Sequence, residues 1–348
     1  MKLDFEVNRN QLHEHRIVTA PLPDVAPGEA LLRVDRFAFT ANNITYAVLG
    51  DALQYWDFFP ADEGWGRIPA WGFAEVVVAG DEGPPVGARV FGYVPMSTHL
   101  VVLPQRLRPD GFTDGSPHRA ALPAAYNWYR RVDTDPLYNR AEDGLEALLQ
   151  PLFVTSFLIA EQLVDNRFYG ASTVVLSSAS SKTALGTAFM LKDEPGVEVV
   201  ALSSSRNAGF IDGLGFYRGS VNYDDVASLP GDAAVYVDFS GDADVRRRVH
   251  EHYHDHLQLS LLVGATHQHT DPPGNLSGPT PVFFFAPDQI RKRGGLDDTV
   301  TVAWRRFVAD APRWLDVVDG HGPEEVAAAF TDVLDGRVEP SVGHVLSL

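Results

Sequence analysis

Two serine-rich turns hold the residues best suited to chemistry. The first reads Ser177-Ser178-Ala179-Ser180-Ser181-Lys182-Thr183-Ala184-Leu185-Gly186. It follows the buried-strand pattern Thr173-Val174-Val175-Leu176 and precedes a helical pattern from Leu185 to Lys192. A strand-to-helix turn presents free amides at the helix N-terminus, and those amides attract phosphate. Glycines usually allow the close backbone approach. Here Ser180, Ser181, Lys182 and Thr183 offer hydroxyls and an ammonium to the same anion. The competing reading is a helix cap at Ser180 or Ser181. The second turn, Ser203-Ser204-Ser205-Arg206-Asn207, comes about 20–25 residues later, where a carboxylate would bind a ribose diol. No Asp or Glu is there. Ser204, Ser205 and Arg206 instead suit a ribose 2′-phosphate, through hydroxyls and a planar charged fork, which favours NADP(H). The alternative is a solvated turn.

A third group lies nearer the N-terminus. Asn42-Asn43-Ile44-Thr45-Tyr46 is followed by Gln54-Tyr55-Trp56-Asp57-Phe58-Phe59. A tyrosine hydroxyl can supply a proton, and an asparagine amide can polarise a carbonyl. Tyr46 and Tyr55 are therefore candidate donors, with Asn42 and Asn43 beside them. Aromatic packing in a barrel is the alternative. His99 is a further candidate acid, or else simply hydrogen-bonded structure. His250-Glu251-His252-Tyr253-His254 matches HExxH, which on a helix puts two imidazoles on one face. It is expected on a crossover helix, away from the strand ends where ligands bind, with Arg246-Arg247-Arg248 opposing a cation. A solvated helix face is expected there, and no metal. His267 and His269 are better placed for a ligand, with flexible loop residues as the default.

These residues need elements to position them. Residues 1 to 110 are β-rich, with short β-branched runs at 30–36 and 74–79 bounded by Pro27-Gly28, Gly80-Asp81 and Pro84-Pro85. The stretch 111–150 mixes Pro, Asp and Arg with aromatics and ends in a helical segment, Glu142 to Leu149. From 151 onward, strands at 173–177, 197–202, 219–223, 233–239, 259–264 and 282–285 alternate with helices. That rhythm predicts a parallel sheet covered on both faces. Two amphipathic helices follow, near 299–318 and 323–334, with Pro323, Glu324 and Glu325 opening the second.

The order of these segments resembles the medium-chain dehydrogenase/reductase superfamily, in its zinc-free, quinone-oxidoreductase-like and enoyl-reductase-like branch. Pro151 to Phe157 resembles the entry to the cofactor domain, which implies that Thr155 lies near a nicotinamide. Ala179 to Ala184 occupies the place of the family's glycine-rich turn. Gly215-Phe216-Tyr217 with Val221-Asn222-Tyr223 resembles a stretch whose tyrosine, here Tyr223, packs on the adenosine 2′-phosphate. Val237 to Gly241 and Leu262 to Thr266 resemble the next two strand ends, the latter implying Gly264 and Ala265 as cofactor contacts. Arg337 to Leu346 resembles the terminal return strand. The whole is most similar to an uncharacterised subfamily, DUF2855. Zinc-dependent relatives carry a histidine where Phe73 stands. The resemblance implies an α/β fold with a doubly wound parallel-sheet (Rossmann) cofactor domain over 151–286. A β-rich GroES-like substrate domain would cover 1–150, with 287–348 returning to it. It implies a zinc-independent, NADPH-dependent reductase of a polarised C=C or C=O bond and, for its assembly, a homodimer. The alternative is a redox-inactive ligand-binding protein that retains the fold.

Composition narrows the remainder. The 348 residues include 28 Lys and Arg against 46 Asp and Glu, a formal charge of −18, which disfavours nucleic acid and anionic membrane as partners. A small-molecule substrate is expected. No cysteine is present, which removes disulfides, thiolate nucleophiles and sulfur-ligated metal sites. The opening Met1-Lys2-Leu3-Asp4-Phe5-Glu6 lacks a secretory pattern, so a cytoplasmic, soluble protein is expected.

Overall fold

β-branched runs bounded by proline and glycine become strands, and the long apolar stretch after Arg140 becomes a helix. This computed structural model describes residues 1–135, 138–263, 276–296 and 298–348. The chain divides into two units, Met1–Leu148 with Asp316–Leu348, and Leu149–Leu315.

The first unit is β-rich. Ala30–Phe39 and Pro69–Ala79 pair antiparallel within a nine-stranded sheet, and Arg89–Pro95 flanks the latter. Side chains alternate across a strand, so Trp71 and Phe73 share one face. Opposite them in register stand Tyr93 and Phe91. One face of the sheet thus becomes a wall of rings. Gly72, between the two, permits a close strand approach, because a Cβ there would lie 2.3 Å from the Arg36 carbonyl oxygen. The C-terminal segment adds Asp316–His321 and Val342–Ser347 to the same sheet. Between them the helix Gly322–Leu334, with Pro323 and two acids in its first turn, buries Val326, Ala329, Phe330 and Val333. Phe330 meets Phe5 edge-on at 5.2 Å.

Among the described residues, the second unit holds six parallel strands. Counted along the chain from Thr173–Ser177, their order in the sheet is 3-2-1-4-5-6, the order of dinucleotide-binding doubly wound sheets. The order reverses between Thr173–Ser177 and Ala234–Asp238. In such sheets, ligands bind beyond the strand carboxyl ends at this point.

Two expectations about segment boundaries are corrected. The helix Asp143–Asp165 runs unbroken through Pro151 instead of ending near Leu149. An internal proline costs a helix ~3 kcal/mol. Leu148, Leu149, Phe153, Phe157, Leu158 and Leu163 are all buried along it, and each contributes ~1.5–3 kcal/mol, so packing wins. The segment Arg140–Asp165 is long and apolar enough to cross a membrane, but 61% of its apolar window is buried inside the protein, as in a core helix. The return to the first unit begins at Asp316, not at residue 287. The helices Ala286–Arg293 and Asp298–Asp310 belong to the second unit, where Phe307 stacks on Phe153 at 4.9 Å and meets Phe189 at 5.3 Å.

The HExxH segment also departs from expectation. His250 lies on the crossover helix Ala243–Tyr253 and is fully buried, not solvated. Its Nδ1 lies 2.7 Å from the Ser277 carbonyl oxygen and its Nε2 lies 3.0 Å from Ser260 Oγ. A carbonyl only accepts, so Nδ1 carries the proton and Nε2 accepts from the serine. His254 falls past the helix end at φ +47°, so the two imidazoles share no helical face. Burial pushes the His250 pKa below its usual 6.5. The unfolded chain therefore binds the extra proton first as pH falls below about 6.5, and stability declines through that window. Chemical denaturation is expected to show this decline between neutrality and mild acid in the natural protein. His250→Gln, which keeps a donor and an acceptor but does not titrate, is expected to lose less over the same interval. Equal losses would assign the decline to other groups.

Candidate functional site

The turn after Thr173–Ser177 keeps its shape without glycine. Ser178 takes the left-handed φ of +46°, which costs a non-glycine residue ~1–2 kcal/mol. Side chains hold it there. The Ser178 amide donates to the Tyr223 hydroxyl at 2.8 Å, and the Tyr217 hydroxyl donates to the Ala179 carbonyl at 2.7 Å. Asn207 Nδ2 donates to Ser180 Oγ at 2.9 Å, which ties the first serine turn to the second. Ser181 is the cap of the helix Lys182–Leu191, its hydroxyl accepting from the Ala184 amide at 3.4 Å. Beneath the turn, Ser177 Oγ donates to Asp238 at 2.8 Å and accepts from the Phe239 amide. Asp238 also accepts from the Gly241 amide and from Arg246. Two neighbouring strands are thereby joined at the point where the sheet order reverses. Gly186 serves helix packing, since a Cβ there would lie 2.6 Å from Ser156 Oγ, the hydroxyl that donates to the Thr183 carbonyl.

The expected cofactor residues fall around this turn. Ser180, Ser181, half-buried Lys182 and Thr183 open the helix. Half-buried Ser204 and exposed Ser205 and Arg206 follow the adjacent strand Glu198–Ser203. Tyr223 begins the turn after Gly219–Asn222. Thr155 is half-buried on the helix that carries Ser156. Gly264, Ala265, Thr266, His267 and His269 lie outside the described residues. Burial pushes the Lys182 ammonium down to a pKa of about 8. Sequence reading gave no role to Tyr217, Asn207, Ser177 or Asp238. The signal for Asp238 was present, as a carboxylate closing the apolar run Val235-Tyr236-Val237.

The second group of candidates lies in the first unit. Asn43 accepts from the Thr40 amide at 2.8 Å and donates to the Pro69 carbonyl at 2.9 Å, which completes the cap of the helix Ala41–Val48. Both ends of its amide are engaged in the fold, whereas Asn42 is half-buried one residue earlier. Tyr46 and Tyr55 join Phe58, Phe59, Tyr93, Leu122 and Tyr126 in one buried cluster, with Trp71 against it. The Tyr46 and Tyr55 rings lie 4.6 Å apart. Tyr55 and Tyr126 hydroxyls are 3.3 Å apart. Burial pushes the phenols of Tyr46, Tyr55, Tyr93 and Tyr126 upward, so all are protonated near neutrality. His99 bonds Thr98 Oγ1 at 3.0 Å, and burial lowers its pKa. Phe73 is fully buried, with the Arg89 guanidinium 4.4 Å over its ring. Among the described residues no three histidines, aspartates or glutamates gather as metal ligands.

Lys182 gives this site a testable electrostatic signature. In the fold it loses its proton at about 8, below its ordinary 10.5, so the folded state holds fewer protons between those values and stability rises with pH across that window. Lys182→Met is expected to make the unliganded protein more stable at neutral pH and to abolish that rise. Melting curves taken across the window check it. A less stable variant at neutral pH would mean that the ammonium has a structural role.

Among solved structures, CurA of Vibrio vulnificus, solved with NADPH, has a TM-score of 0.64 at 14% identity, over 98% of this chain and 96% of that one. Haloferax mediterranei glucose dehydrogenase, solved with NADP, zinc and gluconolactone, gives 0.56 at 14% identity over 99% of each chain. The Etr1p complex with NADP and crotonyl-CoA gives 0.60 at 10% identity, over 100% of this chain and 99% of that one. Identities this low establish a shared fold alone. No protein of curated function matches the chain in sequence. A family described as a protein of unknown function, DUF2855, matches residues 37–339. The chain belongs to that family.

Proposed function

We propose that this protein is a zinc-independent, NADPH-dependent reductase of a polarised C=C or C=O bond, as in an enone, an enoyl thioester or a quinone. The observation that carries the reading is the acid-free turn Ser204-Ser205-Arg206, tied through Asn207 to a phosphate-suited turn at the reversal point of a 3-2-1-4-5-6 sheet. The residues fit the cofactor by their donor chemistry. Ser180, Lys182, Thr183 and the first amides of the helix Lys182–Leu191 would hold the pyrophosphate. Ser204, Ser205 and Arg206 would hold the 2′-phosphate, with Tyr223 shaping the turn beside them. Relatives of the same fold solved with NADPH or NADP support the assignment. Bound NADPH supplies hydride.

The chain's own residues supply the rest. Tyr46 or Tyr55 returns a proton to the reduced substrate, and the ring wall excludes water from the reacting bond. Phe73 leaves no imidazole where zinc-dependent relatives place a ligand, so activity is expected to survive prolonged chelation. One observation favours a redox-inactive binder instead: serines and a lysine replace the glycines, and Ser178 adopts a conformation that glycine adopts at less cost.

Calorimetric titration separates the two readings. NADPH is expected to bind more tightly than NADH. Arg206→Ala is expected to weaken NADPH by ~1.5–3 kcal/mol, the scale of a charge-assisted hydrogen bond, and to leave NADH unchanged. Equal affinities for the two nucleotides would remove the NADPH preference, and binding of neither would favour the redox-inactive reading.

A further inference from the structure

Two buried donors in the aromatic cluster make no hydrogen bond of ordinary length and angle among the described residues, the Trp71 indole N–H and the Tyr93 hydroxyl. Native folds rarely keep such groups without a use. Both belong to the surroundings of Tyr46. Tyr93 meets the Tyr46 ring edge-on with centroids 5.6 Å apart, and Trp71 packs on Tyr93 at 5.1 Å from the neighbouring strand. Tyr55 differs, since its hydroxyl is already paired with that of Tyr126.

We infer that Trp71 and Tyr93 are positioning residues that select Tyr46 as the proton donor, by hydrogen-bonding the phenolate it becomes. The inference rests on the reductase reading and names its donor. A substrate that has gained hydride carries an electron pair on carbon or oxygen. The Tyr46 O–H bond breaks, its proton goes to that atom, and the bonding pair stays on the Tyr46 oxygen. Water then returns a proton to the phenolate. The two donors are weakly used while Tyr46 is neutral and shorten onto its oxygen when charge appears there, as apo catalytic hydrogen bonds do.

The balance of forces on the phenols agrees. Burial raises the Tyr46 pKa, and Trp71, Asn42 and Tyr93 each act against that rise. Burial raises Tyr55 with Tyr126 alone acting against it. The titratable groups facing Tyr46 are Tyr55, Tyr93 and Tyr126, all held neutral by burial. Arg119 lies 5.4 and 4.8 Å over the Phe58 and Phe59 rings and is paired with Asp114 at 2.6 Å.

The test is the ionisation of Tyr46 in the full-length protein without any ligand. Tyrosines carrying a carbon-13 label at Cζ are followed by NMR, with Tyr46→Phe and Tyr55→Phe assigning the signals. Incorporated 3-fluorotyrosine, a more acidic phenol, keeps the titration below alkaline unfolding. Tyr46 is expected to ionise before Tyr55. Trp71→Phe and Tyr93→Phe are each expected to lower its ionisation constant about tenfold, the scale of one hydrogen bond to a charged group. Tyr126→Phe is expected to move Tyr55 and not Tyr46. Tyr93→Phe removes one hydroxyl, Trp71→Phe removes the N–H together with part of a packed ring, and either suffices should the other fail to fold. A Tyr46 titration unmoved by both, or a Tyr55 that ionises first, would overturn the inference. The shift retained in a protein that binds no NADPH would sink the reductase reading alone.

Discussion

A turn from strand to helix that lacks glycine must be held open by something other than backbone freedom. Between Ser177 and Lys182 that constraint organises the whole unit. The left-handed Ser178 is anchored by Tyr223, Ala179 by Tyr217 and Ser180 by Asn207. Along the chain, Asn207 follows the second strand of the sheet, Tyr217 precedes the third and Tyr223 follows it. Ser177 and Asp238 lock the first strand to the fourth from beneath. A turn stiffened in this way is organised in the free protein, so little ordering entropy would be lost if an anion bound there. Its left-handed serine destabilises the fold by about a kilocalorie per mole or more, which the anchors offset.

The first unit solves a different problem. Alternation along Pro69–Ala79 and Arg89–Pro95 makes an apolar wall of Trp71, Phe73, Phe91 and Tyr93. Into it the helix Ala41–Val48 and the turn Tyr55–Phe58 deliver Tyr46 and Tyr55. Buried polar atoms are few in such a place, and each therefore matters more than it would in water. Asn43 shows how a polar residue in a suggestive position can be fully engaged in holding a helix.

Much of the fold was legible because β-branched runs and turn residues alternate so regularly after residue 150. The doubly wound parallel sheet follows from short apolar strands that need helices on both faces. The errors have physical causes. Pro151 reads as a break only when its lost hydrogen bond is weighed without the apolar side chains buried beside it. The helices between 286 and 310 look like a tail in one dimension, and only Phe307 packing on Phe153 and Phe189 shows where they belong. His250 looks solvated among arginines, yet its partners Ser260 and Ser277 lie on later segments that no local pattern reveals. In the candidate site, the serine turns were visible as residue types at a known spacing. The roles of Tyr217 and Asn207 were not, because each acts on a residue distant in the chain.

On the reductase reading, the turn Ser178–Thr183 receives the phosphates of NADPH. Amide hydrogen exchange across residues 178–184, followed with and without NADPH, addresses it directly. Exchange at Ser180 through Ala184 should slow when NADPH is added, and slow less with NADH at the same concentration, because backbone amides at the helix N-terminus would then donate to the pyrophosphate. Exchange at these amides unchanged by a saturating concentration of NADPH would mean that the turn binds no phosphate.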